Sequence, residues 1–86
     1  MPPEIEIYSS NWCPWCARAK ALLRRKGVGY REIAAERGSE ARQESQRRSG
    51  RSSVPQIFIG GRHIGGSDEL AALDRSGELD ALLAGD

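Results

Sequence analysis

No apolar run in this sequence approaches the ~20 residues needed to cross a bilayer as a helix, so no membrane partner is expected. The opening Met-Pro-Pro-Glu lacks a basic segment followed by an apolar one; no signal peptide is expected, and the cytoplasm is the expected compartment. Charge of a dominant sign is missing too. Thirteen basic residues face 12 acidic ones for a net +1, far from the basic footprint of a dedicated nucleic-acid binder, so no nucleic-acid partner is expected. Histidine occurs once and cysteine twice, whereas closed zinc or iron-sulfur sites take about four such ligands, so no metal is expected. There are no repeats, linkers or low-complexity tracts. Eighty-six residues at 38% hydrophobic content support one modest core, which points to a single domain over residues 1–86.

Both cysteines fall in one tetrapeptide, Cys13-Pro14-Trp15-Cys16, placed where the alternating segment Ile5-Glu6-Ile7-Tyr8 gives way to a helical pattern. Two thiols three positions apart at a helix start are near neighbours. Proline at the first helical position makes Cys13 the N-cap, so the free N–H groups of the first turn can face its sulfur. Those groups and the helix dipole favour thiolate over thiol, giving Cys13 the expected role of nucleophile. Cys16 lies in line with Ala19, Leu22 and Leu23, the apolar stripe of the same helix; it should be shielded and act second. In a reducing compartment a pair this close is better suited to redox chemistry than to stapling a fold.

The remaining elements follow from periodicity and punctuation. Residues 4–8 read as a strand, 14–26 as a helix ended by Gly27, and Val28 to Ile33 as a second strand parallel to the first. A polar helix is expected from Ser39 to Arg48, capped by Ser39, with Glu44 and Arg48 at an ion-pairing spacing. Gln56–Ile59, Gly60-Gly61 and Arg62–Ile64 form a β-hairpin signal. Ser67 should cap a last helix with Leu70 and Leu73 inward, ending at Gly77, with Leu79, Leu82 and Leu83 on a short final turn. The order βαβαββα implies an α/β fold, a four-stranded mixed sheet with helices on both faces, and puts the cysteines at the carboxyl end of the first strand, where open α/β sheets bind ligands.

Cys-Pro-Trp-Cys followed by Ala-Arg-Ala-Lys-Ala-Leu-Leu, then Val-Pro-Gln-Ile-Phe-Ile, then His-Ile-Gly-Gly-Ser-Asp-Glu-Leu, resembles a glutaredoxin of the small bacterial dithiol type along nearly the whole chain. The resemblance implies a thioredoxin-like fold and a glutathione-dependent thiol-disulfide oxidoreductase. It casts Cys13 as the attacking sulfur and Cys16 as the resolving one, with glutathione as reductant and co-substrate. Glutathionylated and disulfide-containing proteins, ribonucleotide reductase among the candidates, are the implied substrates, and a monomer is the expected state. An iron-sulfur cluster bridged between two subunits is the alternative from another class, and Pro14 argues against it by the same resemblance.

Three further segments complete the expected site. Val54-Pro55 precedes a strand, a position that permits a cis peptide bond, and by resemblance the Val54 backbone pairs with the cysteinyl part of glutathione, with Ser53 as polar neighbour. Gly65-Gly66-Ser67-Asp68 leads into a helix N-terminus suited to a carboxylate, and by resemblance Ser67 and Asp68 hold the γ-glutamyl end. Trp15 can wall the groove. Trp12 stands between two roles, contact with protein substrates or hydrophobic shielding. Ser10 departs from the lysine that many glutaredoxins carry near the glycine carboxylate, with Arg18, Arg51 and Gln56 as substitutes. His63 is expected to be an ordinary hydrogen-bonded strand residue, and Arg42, Arg47, Arg48 and Arg51 a solvated basic face.

Overall fold

The computed structural model describes residues 3–85, in which Ile5–Ser9 (β1), Pro14–Arg25 (α1), Arg31–Ala34 (β2), Glu40–Ser49 (α2), Gln56–Ile59 (β3), Arg62–Gly65 (β4), Ser67–Ser76 (α3) and Glu78–Leu83 (α4) follow one another. The strands form one sheet in the order β2-β1-β3-β4, with β2 parallel to β1 and the other neighbours antiparallel. This is the thioredoxin-like arrangement expected from the sequence. No helix among the described residues is long and apolar enough to cross a membrane.

Period-two alternation in the central strands divides the interior. Ile5 and Ile7 of β1 face the same way as Ile57 and Ile59 of β3, and on them pack Ala19, Leu22 and Leu23 of α1, Leu70 of α3, and Leu79 and Leu83 of α4. This is the main core. Tyr8 and Phe58 point to the opposite face, where a smaller cluster gathers Ala35, Ala41 and Val54. Each fully buried leucine of the main core is worth about 2–5 kcal/mol against truncation to alanine, so α1 is held firmly on its sheet.

The second face is covered by α2 with almost no apolar help, Ser45 being its one buried residue. Ser39 caps it as expected, accepting the Arg42 N–H at 3.1 Å. Glu44 and Arg48 do not pair with each other. Both converge on the buried Tyr8, whose hydroxyl donates to Glu44 and accepts from Arg48 at 2.8 Å, while Arg48 also reaches Glu6 at 3.1 Å and lies 3.9 Å over the Phe58 ring. The expected solvated basic face holds in part: Arg47, Arg48 and Arg51 are exposed, but three of the four arginines are also tied to the fold. Arg48 packs on the sheet, Arg42 donates to the carbonyls of Ala35 and Ser52, and Arg51 binds Glu69.

Two boundaries move. The segment expected to be strand from Val28 pairs only from Arg31, opposite Glu6; carried backwards, the register sets Val28 and Gly29 against residues that precede β1. Val28 and Tyr30 still cover the main core from irregular chain. The last helix is capped by Gly66 and not by Ser67, which is its first residue, and the final turn is a separate helix set off by Gly77 at φ +84°.

The Ser45 hydroxyl is buried without a hydrogen-bond partner. A buried unpaired hydroxyl carries a desolvation penalty, and alanine is the better helix former. Ser45→Ala should therefore raise stability by about 1 kcal/mol, read as a higher urea midpoint at unchanged slope; a lower midpoint would mean that the hydroxyl is bonded.

Candidate active site

Both cysteines are free thiols at the mouth of α1, and the two sulfurs have opposite surroundings. Pro14 at the first helical position leaves Cys13 as N-cap in extended backbone, and its sulfur accepts the Cys16 N–H at 3.1 Å. On its other side that sulfur lies 3.9 Å from the Val54 carbonyl. Cys16 is 1% exposed within the main apolar stripe. Burial, with the Cys13 sulfur beside it, pushes the Cys16 thiol up to about 12. One motif therefore holds a half-exposed sulfur at a helix N-terminus and a sealed thiol that keeps its proton at neutral pH.

Across from Cys13 the chain runs through Ser53, Val54 and Pro55 into β3, and the Val54-Pro55 bond is cis, an isomer the sequence permits. Hydrogen bonds fix this segment from behind. Gln56 is buried and donates from Nε2 to the Ser53 carbonyl at 3.1 Å, so its Oε1 must accept from His63 Nε2 at 2.7 Å. His63 is thus the bonded strand residue expected, its ring tilted against Phe58 with centroids 5.1 Å apart, and burial lowers its pKa. Arg42 holds the Ser52 carbonyl at 3.0 Å.

The third wall is the start of α3. Glu69 accepts the Gly66 N–H at 2.7 Å and Arg51 at 2.7 Å, and these two bonds draw its carboxyl below the usual range. Glycine is required at position 65, and at 66 it relieves a tight contact. A side chain at Gly65, where φ is +123°, would sit 2.6 Å from the Glu69 carboxylate, and one at Gly66 would sit 3.3 Å from the Pro55 carbonyl. The missing Cβ at Gly65 makes room for the Glu69 side chain, and the one at Gly66 eases the approach of α3 to the Pro55 carbonyl.

Trp15, Ser53, Val54, Pro55, Ser67 and Asp68, the six expected residues besides the cysteines, all line one groove of about 260 Å³, together with Arg51, Gln56, Gly66 and Glu69. Of the three residues considered in place of a lysine at Ser10, Arg51 and Gln56 are in this groove, and Arg18 lies 4.8 Å over the Trp15 ring instead. Ser10 itself borders a second groove with Trp12, Cys13, Lys20 and Glu32. An apolar groove of about 520 Å³ between β4, α3 and α4 contains neither cysteine. Glu69 was legible only as an acidic first-turn residue; its place three positions after the cap is the signal that could have found it. The Gln56–His63 link left no trace at a separation of seven residues.

The glutaredoxin family model matches residues 5–64. A glutaredoxin of Pseudomonas aeruginosa is 55% identical over 84 residues, covering 98% of this chain and 99% of that protein. Among solved structures, the glutaredoxin of Brucella melitensis superposes with a TM-score of 0.84 at 54% identity, covering 95% of this chain and 89% of that one. A buckwheat glutaredoxin in complex with glutathione gives 0.85 at 30% identity, covering 95% and 77%.

The contrast between the two thiols sets an outcome for alkylation. Iodoacetamide at pH 7 should label Cys13 alone, with Cys16 labelled only after denaturation, as read by peptide mass spectrometry. Because the folded Cys16 pKa lies near 12 against 9.0 for a free thiol, its contribution to stability is complete below pH 9 and is lost as pH rises towards 12. Cys16→Ala should flatten that alkaline loss; an unchanged slope would refute the assigned burial.

Proposed function

The chain belongs to the glutaredoxin family of thiol-disulfide oxidoreductases, and from that premise we propose that it is glutathione-dependent, reducing glutathione mixed disulfides and protein disulfides through Cys13 and Cys16. The observation that carries the proposal is the convergence of a helix-capping sulfur with a groove built from Trp15, Ser53, Val54, Pro55, Ser67 and Asp68.

In the proposed cycle the Cys13 thiolate attacks the glutathione sulfur of a mixed disulfide. The new bond joins Cys13 to glutathione, and the substrate sulfur leaves and takes up a proton. A second glutathione thiolate then attacks the bound glutathione, releasing oxidised glutathione and restoring Cys13. One free glutathione is consumed per turnover, and the other half of the oxidised glutathione is the glutathionyl group taken from the substrate. With a protein disulfide, Cys13 attacks one substrate sulfur, the other leaves, and Cys16 gives up its proton to attack Cys13, closing the Cys13–Cys16 disulfide and freeing the substrate; two glutathiones reopen it. The Cys16 N–H holds the Cys13 sulfur in place for both of its roles, attacking and leaving.

The groove suits the tripeptide in three places. The Val54 backbone, its carbonyl turned to Cys13, is positioned to add the cysteinyl residue as a short strand. The free N–H groups at the start of the ten-residue α3 suit the γ-glutamyl carboxylate, and the exposed Asp68 suits its ammonium. At the other walls, Trp15 offers an aromatic surface and Arg51, paired with Glu69, a cation. The substrates proposed are glutathionylated and disulfide-containing proteins, ribonucleotide reductase among them, met by a monomer in the cytoplasm.

The decisive comparison is glutathione-coupled turnover of a small mixed disulfide by the wild type, Cys13→Ser and Cys16→Ser. Cys13→Ser should fall to background, whereas Cys16→Ser should stay within about tenfold of wild type, no more than ~1.4 kcal/mol in the barrier. Equal activity in all three proteins would overturn the roles.

A further inference from the structure

Trp12 and Trp15 are the exposed large apolar side chains among the described residues, and both flank Cys13. Trp15 is accounted for by Arg18 over its ring and by the groove beside it. Trp12 has no such account. It is 99% exposed, which rules out the shielding role, and its backbone sits at φ +59°, the one non-glycine residue with positive φ among those described. A bulky side chain is disfavoured in that region, and a fully exposed indole gains nothing from burial. Neither feature serves the fold, and strain beside a reactive atom points towards function.

Trp12 stands over a second groove of about 410 Å³, lined also by Asn11, Cys13, Ala17, Lys20 and Glu32. Its far wall is rigid, because Glu32 holds Lys20 at 2.9 Å and Ser9 at 2.6 Å. The loop that presents the indole is pinned by the Asn11 N–H on Glu36 at 2.9 Å. Cys13 lines this groove, and its sulfur lies 3.9 Å from the carbonyl of Val54, which lines the first one, so the sulfur stands between the two.

We propose that the second groove docks the polypeptide flank of a protein disulfide, an extended segment whose apolar side chain next to the target cysteine packs on Trp12, and that Trp12 sets selectivity for such substrates over small glutathione mixed disulfides. The inference rests on the reading of Cys13 as the attacking sulfur. Glutathione carries one residue on each side of its cysteine, and the one past the sulfur is a glycine with no side chain to set against an indole. A protein disulfide continues on both sides. Once its sulfur is bonded to Cys13, one flank lies along Val54 as an added strand and the other crosses the second groove. The polypeptide is chosen as occupant because the groove continues the first one through the reacting atom.

The test replaces Trp12 by asparagine, which tolerates a left-handed backbone and removes only the indole. Glutathione-coupled kcat/KM is measured for a peptide disulfide with an apolar residue beside its cysteine and for a small glutathione mixed disulfide. The ratio of the two should drop about tenfold in Trp12→Asn, through the peptide's KM, as expected for one lost aromatic contact. Trp12→Phe should recover most of it. A ratio that does not move overturns the proposal, whether both activities fall or neither does. Wild-type protein that turns over neither substrate would instead overturn the underlying reading of Cys13, and with it this one.

Discussion

The active end of this protein depends on one short contact, the Cys16 N–H resting on the Cys13 sulfur at the first turn of α1. The contact exists because Pro14 starts the helix, which makes Cys13 the cap, and because the helix cannot shift. Leu22, Leu23 and Ala19 hold it against Ile7 and Ile57, and Cys16 belongs to the same buried stripe. The residue that donates to the half-exposed sulfur is therefore itself sealed in the interior. A geometry this dependent on the stripe is as rigid as the core itself, and that suits a sulfur required to stabilise charge without rearrangement.

The facing wall of the site is anchored on the other side of the sheet by different means. There the helix α2 docks through Tyr8, Glu44 and Arg48, with Glu6 and Phe58 completing the contact, and Arg42 at its first turn holds the Ser52 carbonyl. Gln56 and His63 hold the Ser53 carbonyl, and Arg51 ties the same segment to Glu69 at the start of α3. The segment carrying Val54 is thus hung from polar side chains of four elements, while Cys13 is hung from an apolar core. Polar anchoring is directional where apolar packing is not, and a backbone offered to a partner as an edge strand needs its carbonyl and N–H directions fixed.

That division also explains what the sequence reveals and what it hides. The main core was legible because β1, α1 and β3 carry clean periodicity, and the cysteine pair was legible because Pro14 fixes the helix start. All six groove residues read from the resemblance lie along one cleft, since each sits at an element boundary marked by proline or glycine. The docking of α2 was not legible. Its partners are 36 to 42 residues away in sequence, and a helix bearing Glu44, Ser45 and Arg48 inward looks the same as one turned to solvent until Tyr8 is placed beneath it. The cap of α3 was hidden for a related reason: Ser67 is the better capping residue by chemistry, but Gly66 takes the cap position under the Pro55 carbonyl, Gly65 leaves room for Glu69, and Glu69 supplies the missing acceptor.

The unequal treatment of the two thiols has a consequence for the order of the proposed reaction. Cys16 is closed to solvent, and burial keeps its proton on through neutral pH, so no disulfide arriving from outside can meet it as a thiolate. Its one reachable target is the Cys13 sulfur itself, once that sulfur is bonded to a substrate. Sequence spacing alone would let either cysteine begin. The fold removes the choice by giving one sulfur a helix terminus and two grooves and the other a place in the core, so the direction of the proposed cycle follows from burial more than from any difference between the thiols themselves.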